Sequence, residues 1–116
     1  TFATMPSVMF DAVLVPAGQE GIDALVRSGD AVHFVLEAFK HCKTICTVGE
    51  GVQLLKLPEG EAAGTPFAPP AGVLIAQTPV NTLGDATAAH QIASDFLSAI
   101  GRHRHWDRLN VDAVPA

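Results

Sequence analysis

The sequence predicts an α/β domain built on a parallel sheet, and three observations lead there. β-prone apolar runs alternate with helical stretches in the order strand, helix, strand, helix, strand, helix, the signature of right-handed crossovers onto one sheet. The first run, Val8 to Val15, is nearly continuous in apolar character, as suits a strand covered on both faces. Apolar residues make up 48% of the 116 and the mean hydropathy is +0.29, so much of the chain must be buried. Three strands are too few for such a sheet, because open edges and faces would leave apolar area in water. The expectation is therefore an incomplete domain of about three strands. Its first strands would come from an upstream part of the same polypeptide or from a partner. The opening Thr1-Phe2-Ala3-Thr4, with no initiator Met and no basic-plus-apolar leader, accords with a segment cut from something larger.

The elements follow in order along a single segment, 1–116. Pro16 stops the first strand, and Ala17-Gly18-Gln19-Glu20-Gly21 forms a loop before a short helical stretch, Ile22 to Arg27. Ser28-Gly29 ends that stretch, and Asp30 is placed to cap the next. From Ala31 to Cys42, Val32, Val35, Leu36 and Phe39 fall on one helical stripe, leaving His33, Glu37, Lys40 and His41 on the wet face. Lys43 to Val48 is a second strand, followed by Gly49-Glu50-Gly51 and a helix from Val52 to Leu57 that Pro58 ends. The Gly-, Pro- and Ala-rich stretch 59–71 has no periodicity and reads as a long loop of the functional or docked kind. Gly72 to Gln77 is the third strand, broken by Thr78-Pro79. Asp85 can cap the last helix, Ala86 to about Gly101, with Ala89, Ile92, Ala93, Phe96 and Ile100 as its buried stripe. A polar tail, 102–116, closes the chain.

Composition excludes several function classes. Seven Lys and Arg stand against 12 Asp and Glu, a formal charge of −5, which argues against a nucleic-acid surface. The one basic cluster, Arg102 to Arg108, is too thin for a groove binder. No apolar run is long enough for a transmembrane helix. Cys42 and Cys46 read as two free buried thiols and leave the redox compartment open.

The most suggestive point for chemistry is the strand-to-helix turn Ile45 to Gly51. A sharp turn of that kind projects one side chain outward at a helix N-terminus, which lowers a thiol pKa, and Cys46 could be the nucleophile with His41 or Glu20 as base. The competing reading makes Cys46 a small core hydrophobe. Register separates the two: two residues before Gly49 lies Thr47, which leaves no activated nucleophile. Gly49-Glu50-Gly51 is a weak anion cradle, because Glu50 puts negative charge where phosphate would sit. His33, Glu37 and His41 recur at i, i+4, i+8 but depart from the zincin pattern, so a solvated face is expected. In the tail, His103, His105 and Trp106 read as packing against a neighbour, with Trp106 as anchor.

Ser7 to Gly18, Ala31 to Lys43, Val48 to Val52 and the terminal His103-Arg104-His105-Trp106-Asp107-Arg108 together resemble the C-terminal domain of large-subunit haem catalases, over essentially the whole chain. The resemblance implies a flavodoxin-like sheet with helices on both faces, related to class I glutamine amidotransferase and PfpI proteins, whose first strands lie upstream. It also implies a parent homotetramer that dismutates hydrogen peroxide at a haem held outside this segment. In that family the haem ligand is a tyrosine of the core domain, with a histidine and an asparagine on the distal side. This chain has no Tyr, so no catalytic residue, cofactor site or metal site carries over to it. In PfpI-type enzymes the elbow nucleophile is a cysteine followed by a small residue and Gly; anchored on Gly49, that position holds Thr47. The implied partners are the remainder of a catalase chain. The implied role is packing: stabilising the tetramer, shaping substrate access or acting as a chaperone. The alternative is a free-standing PfpI-type cysteine hydrolase using Cys46, Glu20 and His41.

Overall fold

The computed structural model describes residues 1–55, 69–77, 86–109 and 111–114. Its sheet has three parallel strands in sequence order, β1 (Ala12–Val15), β2 (Thr44–Val48) and β3 (Val73–Ala76). Between β1 and β2 run α1 (Gln19–Arg27) and α2 (Gly29–Lys40), and after β3 comes α3 (Ala86–Gly101). This is the incomplete parallel α/β arrangement that the alternation of elements predicts, and it is consistent with the flavodoxin-like sheet that the family resemblance implies. Register places Val13, Ile45 and Val73 in one row across the sheet, with Val15, Thr47 and Ile75 in another. These rows face α2, and Val13, Val15, Ile45 and Val73 share the core with Val35, Ala38 and Phe39. Phe39 and Ala38 are wholly buried. Loss of the Phe39 ring would cost about 3–5 kcal/mol by analogy with other core aromatics.

The opposite face is less covered. α3 packs on β2 and β3, but its stripe Ala89, Ile92, Phe96 and Ile100 is only half-buried and Ala93 is exposed. On β1, Leu14 stays 55% exposed. A strand whose outward residue is an exposed Leu, on a sheet edge, is one that expects a neighbour. Among the described residues, no helix is long and apolar enough to cross a membrane.

Several boundaries differ from those expected, each for a physical reason. The first strand shrinks to Ala12–Val15, because Ser7–Met9 winds into a 3-10 turn held by side chains from below. Glu37 accepts hydrogen bonds from the Ser7 N–H at 3.1 Å and the Ser7 hydroxyl at 3.0 Å, while the buried Lys43 ammonium donates to the Val8 and Phe10 carbonyls. Phe34 then packs at a tilt against Phe2 and Phe10. α1 starts at Gln19, three residues before Ile22, with Glu20 in its first turn where the helix dipole favours an acid.

α2 is capped by Ser28, whose hydroxyl accepts from the Ala31 N–H, and Asp30 lies inside the first turn. α2 ends at Lys40, before the expected Cys42, in a Schellman turn: the Lys43 N–H bonds the Ala38 carbonyl and the Cys42 N–H that of Phe39. Cys42 takes the left-handed position, φ +56°, where glycine is usual. After β2 the chain forms a 3-10 turn, Gly49–Leu54, in place of the helix expected from Val52 to Leu57. Pro58, Thr78-Pro79, Asp85 and most of the 59–71 loop lie outside the described residues.

The change of cap is testable by urea unfolding. Ser28→Ala is expected to lower stability by about 1 kcal/mol. Asp30→Ala leaves the cap intact and should cost no more than about 0.5 kcal/mol of dipole interaction. Equal losses would place the cap on Asp30.

Candidate functional site

In open parallel sheets, ligand sites form outside the carboxyl ends of the strands. Here the β1–α1 turn and the turn after β2 meet at that end. Gly49, directly after β2, adopts φ +52°, the strained backbone from which an elbow presents its nucleophile. Glycine presents no side chain there. Gly51 follows two residues later, packed so tightly that a Cβ would lie 2.8 Å from the Val15 carbonyl oxygen. The glycine of the elbow pattern is thus Gly51, and the nucleophile position is Gly49 and not Thr47.

Thr47 and Cys46 both lie inside β2 and are fully buried. The Thr47 hydroxyl has no hydrogen-bond partner, and burial pushes the Cys46 thiol pKa up, opposite to what a reactive thiolate needs. Cys46 sits between Leu14 and Leu74 across the strands, His41 is exposed at the end of α2, and Glu20 is exposed in α1. No hydrogen bond joins any two of the three. Cys42 and Cys46 are both free and buried, as their spacing predicts.

The mouth above the elbow is bridged. The Gly18 N–H donates to the Glu50 carboxylate at 3.1 Å, and Gln19 and Gln53 exchange hydrogen bonds at 3.3 Å. Hydrogen bonds from the backbone of Glu50 and then of Gly18 hold the Glu50 pKa below the usual carboxylate range. A negative charge therefore stands where an anionic substrate group would bind. On α2, Glu37 is committed to Ser7, so His33, Glu37 and His41 do not form a wet row. Among the described residues no three His, Cys, Asp or Glu side chains could hold a metal.

The best-defined polar cluster lies at the other end of the sheet, where sequence reasoning placed only a packing tail. Arg108 is 4% exposed and donates from Nε to Ala71 O at 2.8 Å, from one terminal nitrogen to Phe39 O at 2.8 Å and from the other to Lys43 O at 2.7 Å. Its guanidinium lies 4.6 Å over the Phe39 ring. Burial lowers its pKa to about 10, which leaves it charged at neutral pH. Beside it, His105 is 2% exposed, bonded through Nε2 to the Thr44 hydroxyl at 2.9 Å and through its N–H to Cys42 O at 2.8 Å. Trp106, expected to anchor the tail, is 79% exposed. No sequence signal marks Arg108 as a clamp, because backbone carbonyls, which it bonds, leave no trace in residue identity.

With this geometry in place, comparison with known proteins decides the family. The model of Catalase_C, described as the C-terminal domain found in long catalases, matches residues 1–110. The chain belongs to the Catalase_C family. It is 40% identical to "Catalase HPII" of Mycobacterium avium over 117 residues, covering 100% of this chain and 16% of that protein. It is 34% identical to "Catalase HPII" of Pseudomonas putida, covering 97% of this chain and 13% of that protein. "Catalase-2" of Bacillus subtilis is also 34% identical, covering 93% of this chain and 13% of that protein. The chain spans between 13% and 16% of the length of these relatives. The residue types that the family resemblance singled out, from Ser7 to Gly18 and from His103 to Arg108, thus include both the Lys43-bound turn and the Arg108 clamp of this Catalase_C chain.

The clamp predicts a non-conservative Arg-to-Lys change. An ammonium cannot span three carbonyls set by a planar fork. Arg108→Lys is expected to lose about 2–4 kcal/mol in urea unfolding, the value of one or two charge-assisted bonds plus stranded carbonyls. A loss below about 0.5 kcal/mol would mean the carbonyls find other donors.

Proposed function

We propose that this chain is a non-catalytic packing module of a long haem catalase. In this reading the parent enzyme, a homotetramer, dismutates hydrogen peroxide to water and oxygen at a haem outside this segment. The module stabilises the assembly and borders the route of substrate, and its exposed apolar side chains can also assist folding of other chains. The observation that carries the reading is the turn after β2: in a chain that the family model matches over residues 1–110, the positive-φ position there is Gly49, which has no side chain to act as a nucleophile.

Haem does not fit the residues of this chain. The family's axial ligand is a tyrosine and the sequence has none. His33 and His41 are exposed on and at the end of α2, His90 is exposed on α3 and His103 just past it, and His105 is bonded to Thr44. No step of haem chemistry is therefore assigned to this chain. What its residues do is pack. Leu14 at 55% and Phe2 at 42% exposure lie together at the free edge of β1. A groove of about 210 Å³ there is walled by Val13, Val15, Leu25, Phe34 and Leu54. Area of this kind stabilises by about 25 cal/mol per Å² when the rest of a polypeptide covers it.

Nothing favours the alternative cysteine hydrolase, since Cys46, Glu20 and His41 are not brought together. One set of measurements tests the proposal. Purified chain supplied with haemin should leave the Soret band where free haemin has it and add no peroxide turnover to that of free haemin, while the parent catalase without it should keep its turnover per haem and dissociate at lower temperature. Iodoacetamide labelling of Cys46 should titrate above the unperturbed thiol value of about 8.5. Peroxide turnover by the isolated chain, or a Cys46 thiol titrating below about 7, would overturn the reading.

A further inference from the structure

We propose that His105 is a proton-operated latch that seats the segment after α3 against the amino ends of β2 and β3 when neutral and releases it when protonated. The seat is built for a ring. Gly72 has φ +74°, and a Cβ at that position would lie 2.1 Å from the imidazole, so the ring occupies space that only glycine leaves open. Nε2 shares its hydrogen bond with the Thr44 hydroxyl, and Nδ1 is buried without a partner. A neutral ring donating from Nε2 to Thr44 meets this environment with a bare lone pair on Nδ1. Uptake of a proton from solvent at Nδ1 adds an N–H with no acceptor in a dry site.

Burial, Arg108 and Arg102 oppose the added charge, and two weaker influences favour it. α2, its turn into β2 and the residues before β3 bring the Cys42 carbonyl, Thr44 and Gly72, none of them charged. α3 brings the Ala99 carbonyl, which favours the charged ring without reaching hydrogen-bond geometry, and Arg102 just past its end, which disfavours it. The segment itself brings Arg108, against, and Asp107, in favour. Burial is the largest influence, and the net effect lowers the His105 pKa below its ordinary value of 6.5. The sign follows from linkage: a histidine held neutral in the fold contributes stability that is fully present above 6.5 and is lost as pH falls through the lower folded value. Release of the ring frees the His105 N–H from Cys42 and loosens Arg108, three residues on, together with the exposed Trp106 and Leu109. Docking of this segment and of whatever its exposed apolar side chains touch thereby becomes sensitive to acid.

The test is hydrogen exchange by mass spectrometry on the full polypeptide that carries this chain, from pH 8 to pH 5, corrected for the chemical exchange rate. Opening of peptides spanning 102–109 should rise on acidification by up to tenfold per pH unit below about 6.5, while β1 and α1 peptides stay unchanged. His105→Gln, whose amide can still bond Thr44 but does not titrate, should flatten the pH dependence. Should that variant fail to fold, Arg102→Gln, at an exposed position, serves instead: removing one opposing cation should make the acid-induced rise smaller. A flat wild-type profile between pH 8 and 5 overturns the latch. So does wild-type pH dependence in His105→Gln, or in Arg102→Gln where it stands in for that variant.

Discussion

The fold depends on where the end of α2 puts its carbonyls. A helix leaves its last carbonyls without intrahelical donors, and buried carbonyls must find others. Here the Schellman turn at Cys42 supplies donors to Ala38 O and Phe39 O, and Arg108 adds a second donor to Phe39 O while bonding Lys43 O after the turn and Ala71 O ahead of β3. One planar cation thus ties a helix end, a strand start and the neighbouring strand's approach. The register of β2 with β3 leans on the same spot, because the Ile45 N–H donates to Gly72 O, one residue past the clamped Ala71. A charge buried without a bonded carboxylate, among the described residues, is tolerable because its delocalised guanidinium is satisfied at all three nitrogens and lies over the Phe39 ring.

The two ends of the sheet are consequently closed in different ways, and both closures bear on function. At the carboxyl ends of the strands, Glu50 to Gly18 and Gln53 to Gln19 bridge the mouth in which related folds place their chemistry. At the amino ends, His105 and Arg108 draw the last segment into the sheet. What remains open is the face and edge at β1. The bridged mouth, the glycine after β2 and the open apolar flank are the features on which the proposed packing role rests.

Much of this was legible in residue order and some was not. The strands, the α2 stripe and the shortage of strands follow from apolar periodicity, which burial enforces. The first strand's true start was not legible, because Glu37 and Lys43, distant in sequence, hold Ser7–Met9 in a 3-10 turn. Asp30 and Ser28 are both good caps on paper, and only backbone geometry separates them. Cys42 in a left-handed position hides a helix stop that glycine would have announced. At the candidate elbow, two glycines flank Glu50, and counting from the first in place of the second moved the nucleophile position from Gly49 to Thr47. In the tail, Trp106 draws attention by its size, but the contacts within the chain are made by His105 and Arg108, whose partners are mostly backbone.

The segment after α3 completes the sheet's amino end and does not merely cover it. Removing residues 103–114 and following urea unfolding by circular dichroism tests this most directly. The shortened chain should lose its cooperative transition or unfold at a markedly lower midpoint. An unchanged midpoint and slope would show that α2, β2 and β3 hold together without Arg108, and would contradict it.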